Sequence, residues 1–131
     1  VNIAKVTHDR LGDLFGGTGV HYYRHILKMV NNDNSIVKFD PKHPRYAALP
    51  DDYFASAAQI TTPVLLTMGQ DNHVFADSNV ICYERLEKII PGRHALHVYP
   101  GYGHQDVFMG KNVHDDIFPR MLEFLRRQSH D

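Results

Sequence analysis

The sequence predicts an α/β fold built on a parallel strand-helix-strand unit, and three observations predict it. Residues 61–69 read Thr-Thr-Pro-Val-Leu-Leu-Thr-Met-Gly, a short apolar run between a turn-forming proline and a glycine. Residues 95–99 read Ala-Leu-His-Val-Tyr and stop at Pro100-Gly101. Between the two runs lies a segment with apolar residues at helical spacing. Continuous apolarity, as in the first run, marks a parallel strand covered by helices on both faces. A strand, a crossover helix and a second strand at this spacing form a βαβ unit with parallel strands.

The elements follow in order. A glycine cluster, Gly16-Gly17-Thr18-Gly19, precedes an amphipathic helix over residues 22–30 and a polar turn at residues 31–34. The cluster has no Gly-Lys-Ser/Thr and no strand before it, so it reads as a helix entry or hinge rather than a phosphate loop. Residues 39–53 carry Phe39, Pro41, Tyr46, Pro50 and Tyr53 without a period, which predicts irregular structure packed by aromatics. The crossover helix has Asp77 or Ser78 as N-cap, then Val80, Ile81, Tyr83, Leu86, Ile89 and Ile90, and ends at Pro91-Gly92. A last helix starting near Asp115 or Asp116 places Ile117, Met121, Leu122 and Leu125 on one face, with Pro119 in or near its first turn and Arg126 and Arg127 near its C-terminal end. The expected division is residues 1–60, mostly helical or irregular, and residues 61–131, the βαβα part. Two strands leave two sheet edges open, so a larger sheet is expected, completed by a missing upstream half or by a second copy as a homo-oligomer. Val1 in place of Met, with no leader character after it, reads as a piece of something longer.

Composition narrows the class. With 14 Lys+Arg against 15 Asp+Glu and a formal net charge of -1 over 131 residues, no basic face is available for nucleic acid or an anionic membrane surface. No apolar run is long enough to span a bilayer. The single cysteine, Cys82, excludes an internal disulfide and any Cys-x-x-Cys site; it is compatible with a reducing, cytoplasmic compartment and does not fix the location. It sits in a helix among apolar neighbours and reads as a buried, inert thiol. Among the 10 His, His21 and His25 share a helix face, and His94 and His97 lie on opposite faces of a strand; neither pair has a third ligand, so no metal and no cofactor is expected.

Parallel strands deliver the loops that follow them to one sheet edge, where open α/β sheets bind ligands. The loop after the second strand holds Gly101-Tyr102-Gly103-His104-Gln105-Asp106, which presents His104 as a candidate general base. The loop after the first holds Gly69-Gln70-Asp71-Asn72, from which Asp71 or Asn72 can orient the imidazole. Asp106 lies too close in sequence to approach the ring from behind and suits orienting the loop or capping the next segment. The stripe Tyr22, Tyr23, Ile26, Leu27 and Val30 reads first as a packed helix face, and otherwise as the lining of an acyl or sterol pocket.

Gly17-Thr18-Gly19-Val20, Phe39 and Asp40, Pro44 with Tyr46, Ile60 with Pro63, Gly69, Ala76-Asp77 and His104-Gln105-Asp106-Val107-Phe108 with Gly110 occur in an order that resembles the C-terminal half of an α/β hydrolase, in particular the acid lipase branch acting on steryl and glyceryl esters. The resemblance implies a partial α/β-hydrolase fold with residues 1–60 as lid or cap, and a serine esterase or lipase of lipid metabolism with His104 as its catalytic histidine. It implies a hydrophobic ester or sterol-like substrate, with Tyr22, Tyr23, Phe75 and Tyr102 as candidates for contact with it. Two departures stand out. None of Ser35, Ser56, Ser78 and Ser129 lies in a Gly-x-Ser-x-Gly context, so the nucleophile is expected upstream and the chain alone inactive. The position usual for the acid holds Asn72, with Asp71 one residue away. The alternative is a non-catalytic binding or assembly module. Chains of this appearance also occur attached to flavin-dependent sterol oxidases of the cholesterol oxidase type.

Overall fold

The computed structural model describes residues 2–14 and 16–129. In chain order the elements are α1 (Lys5–Asp9), α2 (Leu11–Leu14), α3 (Val20–Val30), two 3-10 turns (Pro44–Tyr46 and Phe54–Gln59), β1 (Leu65–Gly69), α4 (Ser78–Ile89), β2 (Ala95–Tyr99), α5 (Asp106–Met109), α6 (Val113–Asp116) and α7 (Phe118–Gln128). They fall into two units, one made of residues 16–61 and one of the N-terminal segment together with the residues from 62 onward. The N-terminal segment therefore groups with the strand-bearing part and not with residues 16–61. Its backbone explains why: Ile3 bridges Gly110 in antiparallel fashion, and Lys111 N–H donates to Asn2 O at 2.8 Å.

In the strand-bearing unit β1 and β2 pair in parallel, Leu65 opposite Ala95 through Gly69 opposite Tyr99, and α4 makes the crossover. This is an α/β arrangement of helices around a small parallel sheet. β1 is shorter than residues 61–69 because Pro63 has no N–H to give; regular pairing begins beyond it, where Ala95 N–H donates to Val64 O at 3.0 Å and Val64 N–H donates to His94 Nδ1 at 3.2 Å. Since Nδ1 of His94 accepts, its ring proton sits on Nε2, which is buried without a partner among the described residues. Burial on both faces of β1 is not found: Leu65, Leu66 and Thr67 are half-buried, and only Met68 and Gly69 are buried, because two strands cover too little of each other. On β2 Val98 is exposed while Tyr99 is buried.

The expected C-terminal helix is broken into α6 and α7 at Ile117. Pro119 has no N–H to continue the α6 ladder and disfavours helical backbone before it, yet it suits the first turn of a new helix. Ile117 at the break is fully buried and forms the core with Tyr99, Tyr102, Val107 and Val113, against which Met121 packs. Leu122 and Leu125, expected on the packed face, are exposed. Asp77 occupies the N-cap position of α4 without a side-chain cap bond; at the other end Glu87 accepts from Gly92 N–H at 2.5 Å and from Tyr83 O–H at 3.1 Å. Gly92 itself has a φ of 75°, the left-handed conformation that ends helices.

The unit of residues 16–61 is held by polar bonds. Val37 and Asp52 form an antiparallel bridge, continued by Lys38 N–H to Asp51 O at 3.0 Å and Tyr53 N–H to Ile36 O at 2.9 Å. Asp52 accepts from Ser35 O–H at 2.7 Å and from Phe54 N–H at 2.8 Å, and buried Lys38 pairs with Asp51 at 3.1 Å. α3 is anchored by His25, whose Nε2–H donates to Val37 O at 2.8 Å. The packed-face expectation for α3 fails in large part, since Tyr22, Tyr23, Leu27 and Val30 are exposed and only Ile26 of the stripe is half-buried. Among the described residues no helix is long and apolar enough to cross a membrane.

Gly69 is where this packing is least tolerant: a Cβ there would lie 1.9 Å from the carbonyl oxygen of Tyr102 and 2.6 Å from that of Gly103. Gly69→Ala is expected to destabilise the protein by about 3 kcal/mol or more, because backbone rather than a flexible side chain must give way. Gly92→Ala, with open space around its Cβ and only its positive φ to oppose, should lose about 1 kcal/mol. Urea denaturation followed by circular dichroism checks the order of the two; equal losses would contradict it.

Candidate functional site

The loops that leave β1 and β2 are stitched together at the carboxyl ends of the strands. Gln70 N–H donates to Tyr99 O and Asp71 N–H to Tyr102 O, both at 2.9 Å, so the parallel pairing continues past Gly69 into the loops. Gly101, with a φ of 75°, turns the second loop back towards the first. The two loops enclose an open cleft of ≈ 420 Å³ lined by Asp71, His73, His104, Gln105 and Asp106 together with Ile3 and loop backbone.

The sequence-derived candidates fare differently. His104 and Asp71 both line the cleft and both are exposed, as expected of residues presented at this edge. No hydrogen bond joins them, and among the described residues His104 makes no hydrogen bond or ion pair. Asn72 is buried, and its Oδ1 accepts from Val74 N–H at 2.8 Å, an Asx turn that shapes its own loop; it is not among the cleft-lining residues. Tyr102 lies in the core, 4% exposed, edge-on to Tyr99 with ring centroids 6.2 Å apart and its O–H donating to Asp116 at 2.5 Å. It is not among the cleft-lining residues: an aromatic that follows a buried strand end is drawn into the core. Tyr22 and Tyr23 belong to the unit of residues 16–61, exposed and edge-on to each other at 5.5 Å. Phe75 is exposed on the loop between β1 and α4.

Asp106 does what its position suggested. It is buried, and its Oδ2 accepts from Gly103 N–H at 2.8 Å and from Asn2 N–H at 3.2 Å. It thus fixes the turn that carries His104 and ties the N-terminal segment to it. Sequence reasoning missed His73 and Ile3 as cleft residues. His73 follows directly on the two residues weighed as orienters, so its location was readable; the return of Ile3 onto Gly110 depends on a long-range backbone pairing that no periodicity reports.

Two other groups with chemical potential are occupied structurally. Ser35 donates to Asp52, and His25 to a backbone carbonyl. Burial pushes the Cys82 thiol above its ordinary range, and the weaker pull of the Arg85 charge does not offset this. Among the described residues no three His, Cys, Asp or Glu side chains are grouped so as to hold a metal ion. Comparison with protein-family models, with curated proteins and with solved structures gives no match.

Three tyrosines have hydroxyls held above their ordinary range: Tyr102 chiefly by its bond to Asp116, Tyr83 chiefly by its bond to Glu87, and Tyr99 by burial. The unfolded chain ionises these groups near the ordinary tyrosine value of about 10, while the folded chain keeps them protonated. Above that pH the unfolded state binds fewer protons, so stability is full below about pH 10 and falls as pH rises through it. Urea midpoints measured between about pH 8 and pH 11 are expected to decline above about pH 10, less steeply in Tyr102→Phe. That variant should also lose about 1 kcal/mol at neutral pH with the Asp116 bond. An unchanged alkaline slope in Tyr102→Phe would contradict the assignment.

Proposed function

We propose that the protein carries the base half of an ester-hydrolase site of the α/β-hydrolase type, acting on hydrophobic esters such as steryl or glyceryl esters. The observation that carries this reading is the shared cleft of His104 and Asp71 at the carboxyl ends of two parallel strands. In acyl transfer a histidine so presented takes the proton of an attacking hydroxyl and returns it to the leaving alcohol. A carboxylate behind it orients the ring and stabilises the imidazolium. Asp71 suits that role better than Asn72, because it faces the cleft and carries charge, whereas the Asn72 amide is engaged in its own turn. The nucleophilic serine and the oxyanion hole are then contributed by polypeptide other than these 131 residues, which contain no Gly-x-Ser-x-Gly. Residues 16–61 act as the lid in this reading.

A second reading, a non-catalytic binding or assembly module, is favoured by one feature: large apolar side chains stand exposed on helices of both units, Tyr22, Tyr23 and Leu27 on α3 and Leu122 and Leu125 on α7. Exposed apolar surface of this extent marks contact surfaces. A parent that is a flavin-dependent sterol oxidase would fit this reading.

The two readings separate on turnover. The product of the entire reading frame, assayed with p-nitrophenyl butyrate, is expected to lose about 10²- to 10⁴-fold in kcat on His104→Ala with little change in KM. Asp71→Asn should lose less and shift the acidic limb of the pH profile. The 131 residues alone should turn over no ester. Unchanged kcat in His104→Ala overturns the hydrolase reading and leaves the binding module.

A further inference from the structure

Among the described residues the fold uses one oxygen of the Asp106 carboxylate and leaves the other unspent. Oδ2 accepts from Gly103 N–H at 2.8 Å and from Asn2 N–H at 3.2 Å, which fixes the turn that carries His104. A carboxylate is acceptor-only and has lone pairs on both oxygens. Asp106 is 5% exposed, and a carboxylate oxygen this deep costs free energy unless a donor meets it. Oδ1 is nevertheless not sealed off: the fully enclosed side-chain atoms without a partner among the described residues are His94 Nε2 and the Tyr99 hydroxyl, and Asp106 Oδ1 is not one of them. Asp106 lines the cleft at the carboxyl ends of the strands, so the cleft is where a donor reaches this oxygen.

The rest of the lining decides what the donor is. Asp71 brings a second carboxylate to the cleft, exposed and without a hydrogen bond or ion pair on its side chain among the described residues. His73 and His104 add ring nitrogens that accept when the imidazole is neutral, and both side chains are exposed. No lysine or arginine lines the cleft. The carboxylate or phosphate of a ligand therefore meets like charge there with no cation to offset it, whereas a cation is attracted. A metal ion is not that cation, because among the described residues no three ligating side chains are grouped to hold one. An organic cation with N–H donors fits: a primary ammonium has three of them, and the space of ≈ 420 Å³ admits it with part of the chain that bears it.

We propose that the cleft is a binding site for a primary ammonium group, which donates to Asp106 Oδ1 and to the Asp71 carboxylate beside the imidazoles of His73 and His104. Asp106 then has two duties, one oxygen for the turn and one for the ligand. Binding of this kind needs no nucleophile and stands apart from ester turnover. An Asp71 that orients His104 keeps its charge, so the two roles are compatible.

The test is a titration of ¹⁵N-labelled protein at pH 8 with n-butylammonium chloride, read from the amide signals of Gly103 and His104. A Kd on the order of 1 mM is expected. Sodium butyrate, the anion of the same length, and tetramethylammonium, a cation without N–H donors, should each bind at least about tenfold more weakly. Asp106→Asn keeps one oxygen for the Gly103 and Asn2 N–H groups and replaces the unspent one by an amide; it should melt within a few degrees of the parent and bind butylammonium about tenfold more weakly. Asp71→Asn should lose about threefold or more with no change in melting temperature. Should Asp106→Asn fail to fold, Asp71→Asn decides alone. Unchanged binding in either folded variant overturns the proposal, as does equal binding of butyrate or of tetramethylammonium, or no response of the parent protein at about 50 mM butylammonium.

Discussion

The missing side chain at Gly69 is the constraint on which the strand-bearing unit turns. The Tyr102 carbonyl occupies nearly the place a Cβ would take, 1.9 Å from it, and the same carbonyl accepts the Asp71 N–H. Without that approach the two loops could not be joined by this bond at the end of the sheet. With it, Tyr102 is driven down beside Tyr99 into the core around Ile117, and the polar residues on either side of it are left outside. One glycine thus couples the packing of the C-terminal helices to the geometry of the cleft. Gly110 repeats the device on a smaller scale, its vacant Cβ position lying 2.5 Å from Asp106 O and 3.3 Å from Asn2 O, so that the N-terminal segment can close against the His104 loop.

Elsewhere cohesion is more polar than apolar. In residues 16–61 the buried apolar residues are Val37 and Ala57, and the unit is tied by Asp52, Lys38, His25 and their backbone partners. Each such bond adds only about 1 kcal/mol net, although losing one partner of a buried group costs more than forming the bond gains. Such a unit is specified by its bonds rather than by the area it buries. The exposed leucines of α7 and tyrosines of α3 belong to the same balance: two strands and a small core give amphipathic helices too little surface to cover.

How much of this could be read in advance follows the range of the interactions. β2, the crossover helix and the turn at residues 31–34 were legible because local signals bound them: Pro100-Gly101, Pro91-Gly92 and an Asn/Asp run. The meeting of the His104 and Asp71 loops was legible as well, since parallel pairing guarantees it. What escaped was set by tertiary contacts. Periodicity put Leu122 and Leu125 on a packed face, but among the described residues both stand exposed. The break at Ile117 was half-visible in Pro119, whose position was read as the first turn of one helix when it is also the end of another. The inward fate of Tyr102 and the outward one of Asp71 depend on Gly69, and no single-sequence pattern reports how near two backbones come.

The cleft shows one arrangement twice. In the loop after β1, Asn72 turns inward and spends its oxygen on Val74 N–H, and its neighbours Asp71 and His73 face outward. In the loop after β2, Asp106 turns inward and spends its Oδ2 on the N–H groups of Gly103 and Asn2, and His104 faces outward between them. In each loop a buried polar side chain performs the work that regular hydrogen bonding would do in a strand, which a loop without a ladder needs. The groups capable of acid-base chemistry are thereby freed from structural duty and held at the surface by a backbone they did not have to organise. Under the hydrolase proposal this separation makes Asn72, which stands at the position usual for the acid, a poorer orienter than Asp71. The Asn72 amide has a structural bond to keep, and among the described residues Asp71 has none on its carboxylate.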